Sequence, residues 1–413
     1  MDDADRFLPL TETIAPDDQA AVAEVVAGAG KAGTAVYPIG GRTATDYGAR
    51  PTRPGLGLSL AGLNRIVDYP ARDLTITVEA GVTIADLAAR LRTEGQRLPV
   101  DIPQAARATV GGAVATNPSG PRRFRCGTLR DYVIGASAVD GRGTMFSAGG
   151  RVVKNAAGYD LCRLLTGSLG TIGVVTQVTL MVKPVPQASA LVACDVADLD
   201  EAERVLAELV HTKAVPAAIE LLIGPAWRDE PALAVPGSSV GRLVVGFEGT
   251  APEVDWMVDE FASQWCRSGR GAPASMRGDD GLRLWSRLAE FPAGGDGALV
   301  VEIRVLPSAT VEQIGLLLGA VPDASIEAHA GDGVIRARLA PPGDAAGLLD
   351  RLREPVRAKG GSLVVLSHPP DVELGQRHVW GPPTATAGPM RAIKSRFDPK
   401  GILNPDRFIF ASP

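Results

Sequence analysis

Four histidines are spread over 413 residues, and one of them, His329, stands in the stretch EAHAGDGVIRARL beside a tight Gly-Asp-Gly turn. An imidazole there has three uses open to it: half of a metal site, part of a substrate-binding hairpin, or a bystander in a turn. Asp332-Gly333 is a strong signal for a two-residue hairpin loop. With those two residues as the loop, Gly331 pairs with Val334, Ala330 with Ile335, and His329 with Arg336. Directly opposed residues share a face of the sheet, so this register predicts an imidazole beside a guanidinium.

A second kind of chemistry is written in glycine. Three clusters fall in the first 175 residues: PIGGRT (38–43), TVGGAVATNPSG (109–120) and GSLGTIGVV (167–175). Without a Cβ, consecutive backbone amides come close to a pyrophosphate and form an anion nest. None of the three has the strand–GxGxxG–helix setting of a Rossmann site, and none carries a P-loop lysine. Together they point to a dinucleotide held between several loops. In VVKNAAGYDL, Lys154 suits a phosphate or carboxylate, while Tyr159 and Asp160 suit fixing a loop. Arg122, Arg123 and Arg125 form a basic cluster whose default reading is a solvated loop.

The elements that must position these residues follow from periodicity. Residues 16–33 read as a helix, AVYPIGG and LTITVEAG as strands, and TIADLAARLRTEG as a helix capped by Thr83 and stopped at Gly95. DYVIGASAVDGRGTMFSAGG reads as two strands around Asp140-Gly141, and the β-branched run TIGVVTQVTLMVKPVP closes on prolines. Beyond Pro186 the pattern becomes two rounds of strand–helix–strand alternation, including a 325–339 hairpin, which suggests a split βαβ, ferredoxin-like sheet. The fold class is therefore α+β, with a main boundary near 184–186.

Composition narrows the function classes. Glycine makes up 48 of 413 residues, about 12% against a typical ~7%. The net charge of −5 gives no electrostatic case for nucleic acid. No apolar run of roughly 18 residues is present to span a membrane, and the acidic MDDADRFLPL is unlike a signal peptide. Cys126, Cys162, Cys194 and Cys266 lack metal-type spacing and read as reduced thiols. The expected setting is cytoplasmic, with membrane association only through a partner.

VYPIGGRT, LTITVEAGVTIADLAARL, ATVGGAVATNPSGPRRFRCGTLRDYVIG, GGRVVKNAAGYDLCRLLTGSLGTIGVVTQVTLMVKP and IKSRFDPKGILNPDRF together resemble one family. The chain is similar to the FAD-binding E subunits of glycolate oxidase, within the p-cresol methylhydroxylase/vanillyl-alcohol oxidase flavoproteins. The resemblance is dense over 36–184, thin through 185–320, and returns at 325–410. It implies a p-cresol methylhydroxylase-type FAD-binding domain at 1–184, a ferredoxin-like substrate or cap domain at 185–388, and a segment returning to the FAD domain at 389–413. It implies that Ile39, Gly40, Gly41, Arg42 and Thr43 bind the FAD pyrophosphate. Thr109, Gly111, Gly112, Asn117 and Gly120 would line the phosphates and ribityl chain. Gly127, Thr128 and Asp131 would follow under the flavin edge, and Ile172, Gly173 and Val174 would make main-chain contacts. Members with covalent FAD carry a histidine where Arg42 stands, so noncovalent FAD is expected.

Catalytic relatives carry His-x-Gly-Asp-Gly-Asn-x-His at the hairpin. Here Val334 stands for the Asn and Arg336 for the second His, and a guanidinium repels a metal rather than ligating it. A glutamate is also missing from GGSLVVLSHPPDV, where His368 matches the family's histidine only with one residue inserted. No intact metal site is expected. His329 and Arg336 are the candidate catalytic pair, the arginine for a carboxylate and the histidine for a proton. The implied activity is oxidation of a small 2-hydroxy acid, glycolate, to a 2-oxo acid. Electrons would leave to a catalytic FAD subunit and an iron–sulfur subunit. A self-sufficient FAD-dependent 2-hydroxy-acid dehydrogenase and a non-catalytic assembly subunit remain as alternatives.

Overall fold

The computed structural model of the protein describes residues 7–150, 159–228, 230–233, 239–293, 297–341 and 343–409. Lys154 and most of its motif lie outside them. The chain divides into two compact units, Met1–Pro118 with Thr128–Val185 and Glu373–Pro413, and Ser119–Gly127 with Pro186–Val372. The sequence reading returned to the first domain at 389, whereas the chain rejoins the first unit at Glu373. The short stretch 119–127 belongs to the second unit because its side chains pack there.

The first unit opens with the helix Gln19–Ala32, started by Asp18 accepting from the Ala21 amide at 2.8 Å and stopped by Gly33 at φ 70°. Strands Leu10–Ile14, Gly55–Ser59 and Ala35–Ile39 form a three-stranded parallel sheet. A five-stranded antiparallel sheet follows in the spatial order Ile66–Asp68, Thr75–Glu79, Val174–Met181, Val133–Val139 and Met145–Gly149. The alternation read in LTITVEAG delivers Ile76 and Val78, both fully buried, to the same core as Leu87 and Leu91 from the helix Ile84–Arg92. Each such side chain contributes about 1.5–3 kcal/mol on burial. Thr83 caps that helix, its Oγ1 accepting from the Asp86 amide at 3.1 Å.

The second unit is one eight-stranded antiparallel sheet made of two βαββαβ repeats. In space the strands run Ala274–Met276, Ala188–Val196, Gly241–Gly249, Ala218–Ile223, then Ser325–His329, Val334–Leu339, Leu299–Arg304, Ser362–Ser367. Each half has the strand order of a ferredoxin-like repeat, and the halves join edge to edge between Ala218–Ile223 and Ser325–His329. Helices Leu199–Leu209 and Ala251–Arg267 serve the first repeat, Thr310–Ala320 and Ala345–Ala358 the second. The helix Gly278–Glu290, absent from the sequence reading, presses Trp285 onto the sheet at Gly246, where an added Cβ would meet the indole at 2.5 Å.

Candidate functional site

The first unit contains a cleft that opens to solvent. Of the expected FAD residues, Ile39, Gly40, Gly41, Arg42, Thr43, Thr109 and Gly112 line it. The glycine pair is required by close packing of two loops. An added Cβ on Gly40 would stand 2.2 Å from Thr109 Oγ1, and one on Gly41 would stand 1.6 Å from the Arg107 carbonyl oxygen. Arg42 takes a left-handed backbone at φ 56°, unusual for arginine. The glycine-rich stretch after Thr109 is a helix, Val110–Thr116, capped by Thr109 Oγ1 accepting from the Gly112 amide at 3.3 Å.

The other expected FAD residues sit elsewhere. Gly111 faces Ala80, whose methyl would be 2.6 Å from an added Cβ, so it serves helix packing. Asn117 ends the helix at φ 51° with its Oδ1 buried and unbonded, flanked by the cleft residues Thr116 and Pro118. Gly120 and Gly127 belong to the second unit. Thr128 and Asp131 cap each other around the turn Leu129–Asp131, the carboxylate accepting from the Thr128 amide at 2.8 Å. Ile172 and Val174 are core residues and Gly173 is buried beside them, while their neighbours Leu169 and Gly170 do reach the cleft. Sequence reasoning also missed Asn404 and Arg407 in the C-terminal segment. Among the described residues the charged ones lining the cleft are Arg42 and Arg407, both cationic, which fits a pyrophosphate; Arg407 Nη1 is buried with no hydrogen-bond partner.

In the second unit the candidate pair lies in a buried polar row crossing four strands. The hairpin loop has four residues, Ala330 to Gly333, so His329 pairs with Val334 and Glu327 with Arg336. This corrects the expected His329–Arg336 pairing by two positions. Gly333, at φ 70°, is tied to the neighbouring segment by its carbonyl, which accepts from the Val305 amide at 2.9 Å. A shift of two preserves the side-chain face, so His329 and Arg336 still share it. Glu220 stands opposite His329 and Glu302 opposite Arg336.

The row is polarised. At one end His329 Nδ1 lies 2.7 Å from Glu220 Oε2, with both residues essentially inaccessible. Burial, helped by the nearby Arg336, holds the imidazole well below its ordinary pKa. The neutral ring therefore donates from Nδ1 to the carboxylate, and its Nε2, buried without a partner, presents a lone pair. At the other end Arg336 Nε donates to Glu302 Oε2 at 3.0 Å and Nη2 to Ser119 Oγ at 3.3 Å, leaving Nη1 buried and unpartnered. Despite its burial, Glu302 is held at about 2 by Arg304 and Arg336. Arg123, lowered by burial, donates to the same Ser119 Oγ at 3.4 Å and sits 3.8 Å from Asp332. Phe124 beside it fits only because residue 331 is glycine, an added Cβ there falling 2.4 Å from the ring. The other arginines of the basic cluster are also engaged, Arg122 with Glu248 at 2.7 Å and over Trp285 at 4.0 Å, and Arg125 with the Glu248 carbonyl at 2.6 Å. They are not a solvated loop.

Glu220, Glu327 and His329 bring ligand atoms within 4.8 Å of one another, the kind of donor set that holds a divalent cation. Neither glutamate was singled out from sequence. Arg336, directly across from Glu327, places a guanidinium against that set. His368 is buried, its Nδ1 3.0 Å from the Pro369 carbonyl oxygen.

Comparison with known proteins bears on the cofactor. Residues 11–149 match the FAD binding domain family and residues 380–408 the C-terminal domain of FAD linked oxidases. Glycolate oxidase subunit GlcE of Escherichia coli is 41% identical over 144 residues, 35% of this chain and 41% of that protein. Glycolate oxidase subunit GlcD of Bacillus subtilis is 26% identical over 90% of this chain and 83% of its own. D-2-hydroxyglutarate dehydrogenase of Xanthomonas citri is 29% identical over 97% and 90%. Alkyldihydroxyacetonephosphate synthase superposes with a TM-score of 0.70 at 18% identity, covering 95% of this chain and 75% of that one, a likeness of fold. Among the described residues no helix is long and apolar enough to cross a membrane. The chain is an FAD-dependent oxidoreductase with a p-cresol methylhydroxylase-type fold, similar over residues 11–149 to FAD binding domains and over residues 380–408 to the C-terminal domain of FAD linked oxidases.

Proposed function

We propose that the protein oxidises a small 2-hydroxy acid, with glycolate the first candidate, as the FAD-binding subunit of a glycolate oxidase complex. The observation that carries this reading is the pairing of two unfilled groups on one sheet face: the His329 Nε2 lone pair and the Arg336 Nη1 donor. Arg336 Nη1 takes the substrate carboxylate in a charge-assisted hydrogen bond. His329 Nε2 takes the proton of the C2 hydroxyl, and Glu220 at Nδ1 stabilises the imidazolium that forms. Bound FAD supplies the acceptor for the hydride lost from C2, leaving the 2-oxo acid. The cleft around Gly40–Thr43, Thr109 and Gly112 holds the cofactor without a covalent link at Arg42.

The relatives named for glycolate oxidase and D-2-hydroxyglutarate dehydrogenase support the substrate class. Among the described residues the metal-type groupings include no cysteine cluster, so electrons pass onward through another chain or a soluble acceptor. A catalytic FAD subunit and an iron–sulfur subunit are the expected partners. The experiment adds glycolate or D-lactate anaerobically to the FAD-loaded chain, alone and with its partner chains. Reduction of the chain's own flavin that depends on the partner chains supports the reading. Reduction by the isolated chain alone, independent of partners, favours the self-sufficient dehydrogenase. A flavin that stays oxidised throughout leaves the assembly role and removes both.

A further inference from the structure

We propose that Arg407, in the C-terminal segment, is the cation that holds the FAD pyrophosphate. Its guanidinium is fixed from one side, Nη2 donating to the carbonyls of Thr45 at 2.8 Å and Tyr47 at 2.5 Å. Its backbone is fixed as well: the Arg407 carbonyl accepts from Trp380 Nε1 at 2.8 Å and from the Ala49 amide at 2.9 Å. Trp380 packs against Tyr47 and Phe408 with ring centroids 5.3 and 4.7 Å apart. The side chain is thus pre-aimed, and it lines the cleft.

Nη1 is the atom left over. It is buried in a residue 5% exposed and has no hydrogen-bond partner. A buried donor on a charged group is costly to leave unmade, so a partner that arrives with a ligand explains it. Asp46 and Tyr37 are the acidic groups whose charge acts on Arg407, and neither lines the cleft. FAD carries its negative charge on the pyrophosphate, the group for which a guanidinium fork is best shaped. The inference concerns the cofactor and stands whatever the substrate proves to be. It also assigns a role to the return of the chain at Glu373: the segment brings a cation to a cleft whose other walls come from residues before 171.

The test uses apoprotein of the full chain and its Arg407→Lys and Arg407→Gln variants, titrated calorimetrically with FAD and with ADP, with apoprotein melting as the folding control. Both variants are expected to bind FAD about 10- to 100-fold more weakly, with ADP weakened by the same factor, and to melt as folded proteins. FAD affinity within threefold of wild type overturns the proposal. Weakened FAD binding with unchanged ADP binding also overturns it, since the contact would then lie off the pyrophosphate. Should neither variant fold, wild-type apoprotein is titrated with ADP and adenosine. At least tenfold tighter ADP binding supports the proposal, and equal affinity overturns it.

Discussion

Arg336 and Glu302 face each other across neighbouring strands, Nε to Oε2 at 3.0 Å, and both are almost completely buried. The carboxylate is shared with Arg304, whose Nε lies 2.7 Å from Oε1. A buried ion pair of this kind adds little net stability over an apolar pair, but removing one partner strands the other in a medium of low dielectric.

Glu302→Gln is therefore expected to cost about 3 kcal/mol and to lower the melting temperature by several degrees. The effect has a defined pH range. The folded carboxyl titrates at about 2 against an ordinary 4.5, so its stabilisation is complete above about 4.5 and fades as pH falls toward 2. Melting curves of wild type and variant should converge as the pH is lowered. A constant gap down to pH 2 contradicts the assignment.

Asp46 behaves in the opposite sense. Burial pushes its carboxyl up to about 6 from 3.8, so folding favours the protonated form. The stability it allows is present below about pH 4 and lost as pH rises through 6. Asp46→Asn should stabilise the apoprotein by about 3 kcal/mol at pH 7.5 and leave it unchanged at pH 4, measured by denaturant unfolding. A gain at pH 4 equal to that at pH 7.5 argues against a charge effect.

Two glycines test the packing around the sites. Gly41→Ala forces a methyl against the Arg107 carbonyl and should displace the 104–109 loop, with loss of FAD from the purified protein. Gly331→Ala drives a methyl into the Phe124 ring and should cost about 1–3 kcal/mol. Phe124→Ala in the same chain should restore most of that, because the clash has one partner. Failure of the double variant to recover would mean that the strain lies in the hairpin backbone.

Much of the scaffold was legible because local signals agreed with the final packing. Thr83 capped its helix, Ile76 and Val78 alternated into the core, and two rounds of elements became two ferredoxin-like repeats. The helix Val110–Thr116 was missed because two glycines lower its propensity, while close packing on Ala80 requires the first of them, Gly111. The hairpin register slipped by two because Asp332-Gly333 is a strong local signal, which carries no trace of the bond between the Gly333 carbonyl and the distant Val305 amide. Face assignment survived that slip, so His329 and Arg336 fall on one face of the sheet. Glu220, 109 residues before His329, left no local trace of its role. Arg407 was hidden for the same reason, since only the folded chain brings its segment to loops from the beginning of the sequence.

The central claim is that His329 and Arg336 act on a 2-hydroxy acid that is oxidised with FAD in this chain. The most direct measurement is anaerobic stopped-flow absorbance of its flavin on mixing with glycolate or D-lactate, in the assembled complex, for wild type, His329→Gln and Arg336→Met. The account predicts bleaching of the oxidised flavin in wild type. His329→Gln should slow bleaching at saturating substrate by about 100-fold or more. Arg336→Met should chiefly raise the substrate concentration needed for half-maximal rate. Bleaching at wild-type rates in both variants, or a flavin in this chain that never bleaches, would contradict it.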